Sequence, residues 1–270
     1  MALDAPVRLW GLWRREGREL FGRRMMAATE GRARSRFRKA LVKMSGEALQ
    51  GGAPYGVDPA ALERFASDFL EASNLNVELS IVVGGGNIFR GVAGVARGMD
   101  RVKADYMGML ATVMNALALA QALDRLGLAA RVFSAIPMPQ VCESYQRDRA
   151  LQCLSEGNIV IFAGGTGSPF FTTDTAAALR AAEMGAEVML KGTNVDGVYS
   201  ADPKLDPNAV RYDVLTYSEV LAQNLKVMDA AAIAIARDNS IPVGVFSICK
   251  EGEIARVLQG RGRMTLIEGN

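Results

Sequence analysis

From Phe37 onward the chain alternates short apolar runs with longer stretches in which apolar residues recur at helical spacing. The runs Ala40–Lys43, Leu79–Val83, Ala130–Ser134, Ile159–Phe162, Val188–Leu190 and Val243–Phe246 are three to five residues long and mostly apolar at consecutive positions, as in strands buried on both faces. Between them the spacing predicts helices at Pro59–Ala72, Asp105–Leu126, Arg147–Leu154, Asp174–Met184, Ser218–Leu225 and Asp229–Asp238. Strand and helix alternate, so the expected fold is α/β: a three-layer αβα sandwich around a mostly parallel sheet. No repeat, low-complexity tract or linker interrupts residues 37–270, which therefore read as a single domain.

Tyr106–Leu123 carries no charge over 18 residues, close to the length of a membrane span. Gly108, Thr112, Asn115 and Gln121 inside it, with Asp105 and Asp124 at its ends, favour a buried core helix.

Composition narrows the chemistry. The chain has 270 residues, 50% hydrophobic and 22% charged, which excludes disordered, collagenous and disulfide-rich classes. A net charge of +2 is too balanced for a protein that requires nucleic acid or a membrane surface. The excess is local: residues 1–39 carry +7 and the remainder −5. Residues 1–36 read as a basic extension with no apolar run long enough for a signal peptide, and Met25-Met26 offers a second start. There is no histidine, which removes Ser-His-Asp and Cys-His catalysis, His-ligated zinc and any imidazole base. Cys142, Cys153 and Cys249 are odd in number and widely spaced, as expected of buried, reduced thiols in a cytoplasmic protein.

The glycines fall where an α/β sheet binds ligands, beyond the carboxyl ends of its strands. Lys43-Met44-Ser45-Gly46 ends the first predicted strand, Gly84-Gly85-Gly86-Asn87 the second, Gly164-Gly165-Thr166-Gly167 the fourth and Lys191-Gly192-Thr193 the fifth. Glycine lets backbone N–H groups approach an anion, and a helix that follows such a loop directs its positive end to the same point. Any one loop is more often only a tight turn. Their conjunction with two strand-edge lysines fits a cleft that holds several phosphates. Phe89 stands where a Gly-x-Gly-x-x-Gly fingerprint needs glycine and no Gly-Lys-Ser/Thr occurs, so Rossmann dehydrogenases and P-loop kinases are disfavoured.

Leu41–Leu49, Gly84–Gly91, Asp105–Thr112, Thr166–Asp174 and Val195–Tyr199 together resemble the bacterial uridylate kinases, UMP kinases of the amino-acid kinase fold. The resemblance spans about residues 37–267, and the strings Pro169-Phe170-Phe171-Thr172-Thr173-Asp174 and Met107-Gly108-Met109-Leu110-Ala111-Thr112 are specific to that branch. It implies transfer of the ATP γ-phosphoryl group to UMP, with Mg²⁺ accompanying ATP. Lys43, Met44, Ser45, Gly46 and Gly86, with Arg90 nearby, would hold the ATP phosphates, and Thr193, Tyr199 and Asp202 would lie against adenosine. Gly85, Asp105 and the loop Thr166, Gly167, Ser168, Pro169, Phe170, Phe171, Thr172, Thr173 would bind UMP, with Phe170 and Phe171 expected in the core. Lys43 and Lys191 would flank the transferred group, Asp174 would orient them, and Asp229 would either help position them or simply cap the next helix. Asp105 could likewise cap its helix, accept ribose hydroxyls, or both. No residue is expected to ligate a metal directly.

The resemblance also implies a homohexamer activated by GTP and inhibited by UTP, with Gly51, Gly52, Ala53, Pro54, Tyr55 and Gly56 near the GTP site. The family's basic positions on the long helix fall on Ala120 and Asp124, which leaves Arg131 as the surviving cation. Two other functions remain open from sequence: a kinase of the acetylglutamate or aspartate type on the same fold, and a nucleotide sensor without turnover.

Overall fold

The computed structural model describes residues 34–91, 98–225 and 227–269, and residues from Ser35 onward group into one unit. The basic extension expected over residues 1–36 lies almost wholly outside the described residues. In chain order the elements are β1 (Lys39–Met44), α1 (Pro59–Ser73), β2 (Glu78–Val83), α2 (Arg101–Arg125), β3 (Ala130–Ser134), β4 (Glu143–Ser144), α3 (Arg147–Ser155), β5 (Ile159–Ala163) and α4 (Thr173–Met184). They continue with β6 (Val188–Thr193), β7 (Val198–Tyr199), β8 (Arg211–Tyr212), β9 (Val214–Leu215), α5 (Tyr217–Ala222), α6 (Ala230–Asp238), β10 (Val243–Ser247), α7 (Glu253–Leu258) and β11 (Met264–Ile267).

Nine strands form one sheet in the order β4-β3-β5-β2-β1-β6-β10-β11-β9. Only the β10–β11 pair in it is antiparallel. β7 and β8 form a separate two-stranded ribbon.

Side chains alternate across a strand, so each central strand feeds two cores. Ala40, Val42 and Met44 of β1, with Val188 and Leu190 of β6, face a cluster that includes Phe65 and Phe69 of α1 and Leu119 and Leu123 of α2. Leu41 and Met189 face the opposite cluster, built on Ala177 and Ala181 of α4, Ile233 of α6 and Leu154 of α3. By the same alternation Lys43 and Lys191 share the face covered by α4 and α6. They are register partners across β1 and β6, at the carboxyl end of the sheet.

Local signals set the helix ends. Asp58 accepts from the N–H groups of Ala60 and Ala61 ahead of Pro59, and α4 stops at Gly185 in the left-handed conformation. α2 corrects the sequence reading: it begins at Arg101, capped by Asp100, so Asp105 lies inside the helix and is not its cap. The first turn, Arg-Val-Lys-Ala, has no apolar stripe to mark it. α2 is also only partly a core helix. In its most apolar window 56% of residues are buried, while Tyr106, Met107, Leu110, Met114 and Leu117 are exposed along one side. The three thiols are free, and Cys249 is exposed, contrary to expectation.

Candidate active site

Lys43 and Lys191 project from adjacent strands toward one carboxylate. Asp174 Oδ1 lies 2.8 Å from Lys43 Nζ, and Asp174 Oδ2 accepts a 2.6 Å hydrogen bond from Lys191 Nζ. The three side chains are 10–14% exposed. Asp174 reaches them because it opens α4, whose cap Thr172 accepts from the N–H groups of Asp174 and Thr175. Burial alone would raise the Asp174 pKa, but the Lys43 and Lys191 ammonium groups overcome it and hold the carboxyl below the ordinary range. Burial also pushes the Lys191 ammonium below its ordinary pKa; Asp174 opposes that shift and Lys43 adds to it. Two ammonium groups share this one bound carboxylate, with Asp229 acting on Lys191 from further away, so positive charge is concentrated where a phosphate could meet it.

One cavity opens directly on this cluster, and a second lies at the adjoining start of α4. The larger, about 830 Å³, is lined by Lys43, Ser45, Lys191 and the chain from Gly192 to Leu205, and is closed by Gln223, Asn224 and Leu225. Its volume suits a small-molecule site. The smaller, about 140 Å³, is lined by Gly85, Gly86, Phe89, Asp105, Met109 and the start of α4, Thr172 and Thr173.

The glycine loops are held by α2. At Gly85 a Cβ would come within 2.7 Å of the Gly108 carbonyl oxygen and 2.8 Å of Ala111 Cβ, so only glycine lets the helix lie against the loop. Asn87 and Asn115 are buried and pair through their amides at 2.7 and 3.0 Å. Asn115 also donates to the Gly84 carbonyl and Asn87 to the Gly56 carbonyl, each at 2.7 Å. Thr112 adds a link to the loop after β5 by accepting from Gly164 N at 2.8 Å. Nothing in an apolar helical run marks Thr112 or Asn115 for these roles.

Residues 38–247 match the amino acid kinase family. The chain is 59% identical to the uridylate kinase of Agrobacterium fabrum over 231 residues, covering 86% of this chain and 96% of that protein. It is 58% identical to the uridylate kinase of Rhizobium meliloti over 234 residues, 87% of this chain and 98% of that one. The chain belongs to the uridylate kinases of the amino acid kinase family. The fold agrees with solved uridylate (UMP) kinases. The crystal structure from Bacillus anthracis aligns with a TM-score of 0.83 at 41% identity, over 86% of this chain and 96% of that one. That from Ureaplasma parvum aligns at 0.82 and 39%, over 87% and 100%.

In this uridylate kinase family member the expected residues divide between the two cavities. Lys43, Ser45, Thr193, Tyr199 and Asp202 line the larger one. Met44 is fully buried in the core and can offer only its backbone. Tyr199 donates to Asp196 at 2.6 Å, which fixes the ring against the cavity wall. Gly46 packs on Gly84, where a Cβ would meet the Gly84 carbonyl oxygen at 2.6 Å. Gly86 lies with Gly85 on the smaller cavity, and Arg90 lines neither; it pairs with Glu47 and donates to the Gly86 carbonyl at 3.3 Å.

Of the Thr166–Thr173 loop, only Phe171, Thr172 and Thr173 line the smaller cavity. Thr166 and Ser168 bond to each other in a local turn, with Gly167 between them and Pro169 following. Phe170 is 65% and Phe171 53% exposed, which corrects their expected place in the core: the loop that carries them stands at a cavity rim, with the Arg101 guanidinium over the Phe170 ring. Asp105 holds this loop. It accepts from Phe170 N at 2.8 Å and pairs with Arg101 at 2.8 Å, one helical turn earlier. The Gly51–Gly56 segment is tied to Asn87, since Gly56 N donates to the Asn87 carbonyl at 2.8 Å. Arg131 sits on β3, three places from β1 in the sheet, and no hydrogen bond or ion pair joins it to that segment among the described residues.

Proposed function

We propose that ATP occupies the larger cavity with its phosphates over Lys43 and Lys191, that UMP occupies the smaller one beside Asp105, and that the γ-phosphoryl group crosses between them at Asp174. The observation that carries this is one carboxylate gripping two ammonium groups on adjacent central strands, with one cavity opening on the lysines and a second at Thr172 and Thr173, next to Asp174 in α4. The kinase makes UDP and ADP. A UMP phosphate oxygen attacks the γ-phosphorus, the bond to the β–γ bridging oxygen breaks, and the electron pair leaves on ADP. The attacking oxygen is already an anion, so no proton must be removed and the absence of histidine costs nothing. Charge spreads over the equatorial oxygens, and the two lysines supply positive charge where it accumulates.

Lys43 and Ser45 offer donors to the ATP phosphates from the larger cavity, Gly86 could reach them only from the smaller cavity and Arg90 only by leaving Glu47, and Thr193, Tyr199 and Asp202 bound the adenosine. Gly85, Asp105, Phe171, Thr172 and Thr173 surround UMP, with Thr166–Phe170 flanking them in the same loop. A kinase of this class works with a divalent cation. Among the described residues no cluster of three carboxylates or thiols offers a cage, both Asp174 oxygens are taken by lysine, and Asp229 is taken by threonine hydroxyls. Mg²⁺ would therefore arrive on the ATP phosphates, where it would screen their β and γ oxygens.

We place the enzyme in the cytoplasm as a homohexamer. The exposed apolar side of α2 supports self-association, because solvent-facing Tyr106, Met107, Leu110, Met114 and Leu117 form a patch that a second copy would cover. GTP and UTP are proposed effectors, with Gly51–Gly56 and Arg131 as candidate contacts. The link from Gly56 through Asn87 and Asn115 to the Gly84 carbonyl is the physical support for a route from that loop to the site. Activity is tested by a coupled ATP-to-ADP assay with Mg²⁺ across UMP, CMP, dUMP, N-acetylglutamate and aspartate; turnover confined to an amino-acid acceptor overturns the assignment of the smaller cavity.

Two further outcomes are expected. Asp105→Ala removes an acceptor for ribose hydroxyls and should weaken UMP binding by about 1.5–3 kcal/mol, the range for a hydrogen bond to a charged group. UMP KM rises by roughly ten- to hundredfold while ATP KM barely moves. An equal rise in both constants with a lower Tm would reduce Asp105 to a tether for Phe170. Deleting residues 1–24 should leave kinase activity and the hexamer intact, since the matched family segment begins at residue 38. Loss of turnover or of assembly in that truncation would place the extension within the working enzyme.

A further inference from the structure

We infer that Thr175 is a positioning residue for phosphoryl transfer, its buried hydroxyl setting the direction of the Lys191 ammonium through Asp229 and the Val227 carbonyl. The inference rests on the placement of the transfer centre at Lys43 and Lys191. Thr175 is the third residue of α4 and is 3% exposed. A threonine hydroxyl in a helix ordinarily bonds back to a carbonyl of the preceding turn. Here it donates instead to the Asp229 carboxylate, 2.8 Å from Oδ1 and 2.9 Å from Oδ2.

Asp229 is also the cap of α6, accepting from Ala232 N at 2.8 Å. Thr172, whose hydroxyl oxygen is occupied by the N–H groups at the start of α4, gives its one proton to Asp229 as well. One carboxylate thus ties the N-termini of two helices together at the cleft. Two residues before it, the Val227 carbonyl accepts from Lys191 Nζ. The ring closes through Asp174, which accepts from the same Nζ at 2.6 Å.

An ammonium has three N–H donors. Val227 and Asp174 take two of those of Lys191, so the direction of the third, the one left for a phosphate oxygen, is fixed by where those two acceptors stand. Thr175 holds the Val227 end in place. Without its hydroxyl Asp229 keeps Thr172 and the Ala232 N–H, so its charge stays satisfied and the fold is retained, but the carboxylate and the 227–229 turn are free to shift.

Thr175→Val keeps the shape and removes the donor. We expect kcat to fall about tenfold or more, as for other small displacements of a transfer group, with UMP and ATP KM within about twofold, and Thr175→Ser to recover most of the lost turnover. In the Lys191→Ala background, Thr175→Val should cause no further loss, because its effect passes through that lysine. A Thr175→Val enzyme with near-normal kcat overturns the inference. So does a loss that serine fails to recover, or one that repeats in full when Lys191 is absent. If Lys191→Ala itself retains turnover, the placement of the transfer centre fails first, which separates that result from failure of the Thr175 role alone.

Discussion

Lys43→Ala and Lys191→Ala are each expected to lower kcat by about 10²–10³-fold, the range for deleting one preorganised electrostatic contact, with UMP KM nearly unchanged. Both ammonium groups lie within 2.8 Å of Asp174 and on one face of the sheet. They meet the charge that shifts from the β–γ bridge to the incoming phosphate better than they meet either bound nucleotide, so their removal appears in turnover. Lys43→Arg should not restore activity, because a planar fork replaces a compact ammonium in the narrow space beside Asp174 and Lys191. The alkaline limb of kcat/KM for ATP gives a second readout. Burial depresses the Lys191 pKa below 10.5, so the protonated form, and with it activity, is lost as pH rises through a value below that of a free lysine. The residual activity of Lys191→Ala should lack this limb. An alanine variant that keeps kcat and loses only ATP affinity would make that lysine a ground-state clamp.

Asp174→Asn should cost roughly 3 kcal/mol of folding stability, the lower end for breaking a buried ion pair from one side, and should also impair turnover. Without the carboxylate, two ammonium groups face each other across neighbouring strands with only Asp229, which acts on Lys191, as a remaining counter-charge. ATP then becomes the missing anion, so saturating ATP should raise the Tm of the variant more than that of the parent. The pH dependence follows from the sign of the shift. The Asp174 pKa is depressed from 3.8, so its stabilisation is complete above that value and is lost as pH falls through the lower, folded-state value. Parent and variant should therefore differ in denaturant midpoint at neutral pH and converge only in strong acid. Equal midpoints at neutral pH would mean that solvent or a shifted lysine pKa already relieves the repulsion.

The central sheet was legible because its strands are buried on both faces and so announce themselves as unbroken apolar runs; Leu79–Val83 and Ile159–Phe162 fall within β2 and β5. The two-residue strands β4, β7, β8 and β9 carry too few residues for any period, and α7 and β11 sit among glycines that mask their pattern. At the site, Lys43, Lys191 and Asp174 could be found because strand ends and a helix start converge by topology. What no local pattern carries is the partner across space. Asp105 takes Phe170 N from 65 residues away, and Thr175 reaches Asp229 across 54. Phe170 and Phe171 misled for a related reason: an apolar pair reads as core, and only the tertiary structure shows that both rings stay largely exposed, with the Arg101 guanidinium over Phe170.

The pairing of Lys43 with Lys191 across β1 and β6 makes the chemical centre a property of strand register. A slip by one residue would send one ammonium to the opposite face, so any chain that completes this sheet correctly arrives with its transfer groups already opposed. The surfaces proposed to meet the acceptor, by contrast, belong to the Gly84–Asn87 loop, the Phe171–Thr173 segment and one side of α2. Acceptor preference can therefore be recut by loop substitutions while the strands that perform the transfer stay untouched, and a library confined to those loops is the economical route to a kinase for a different monophosphate.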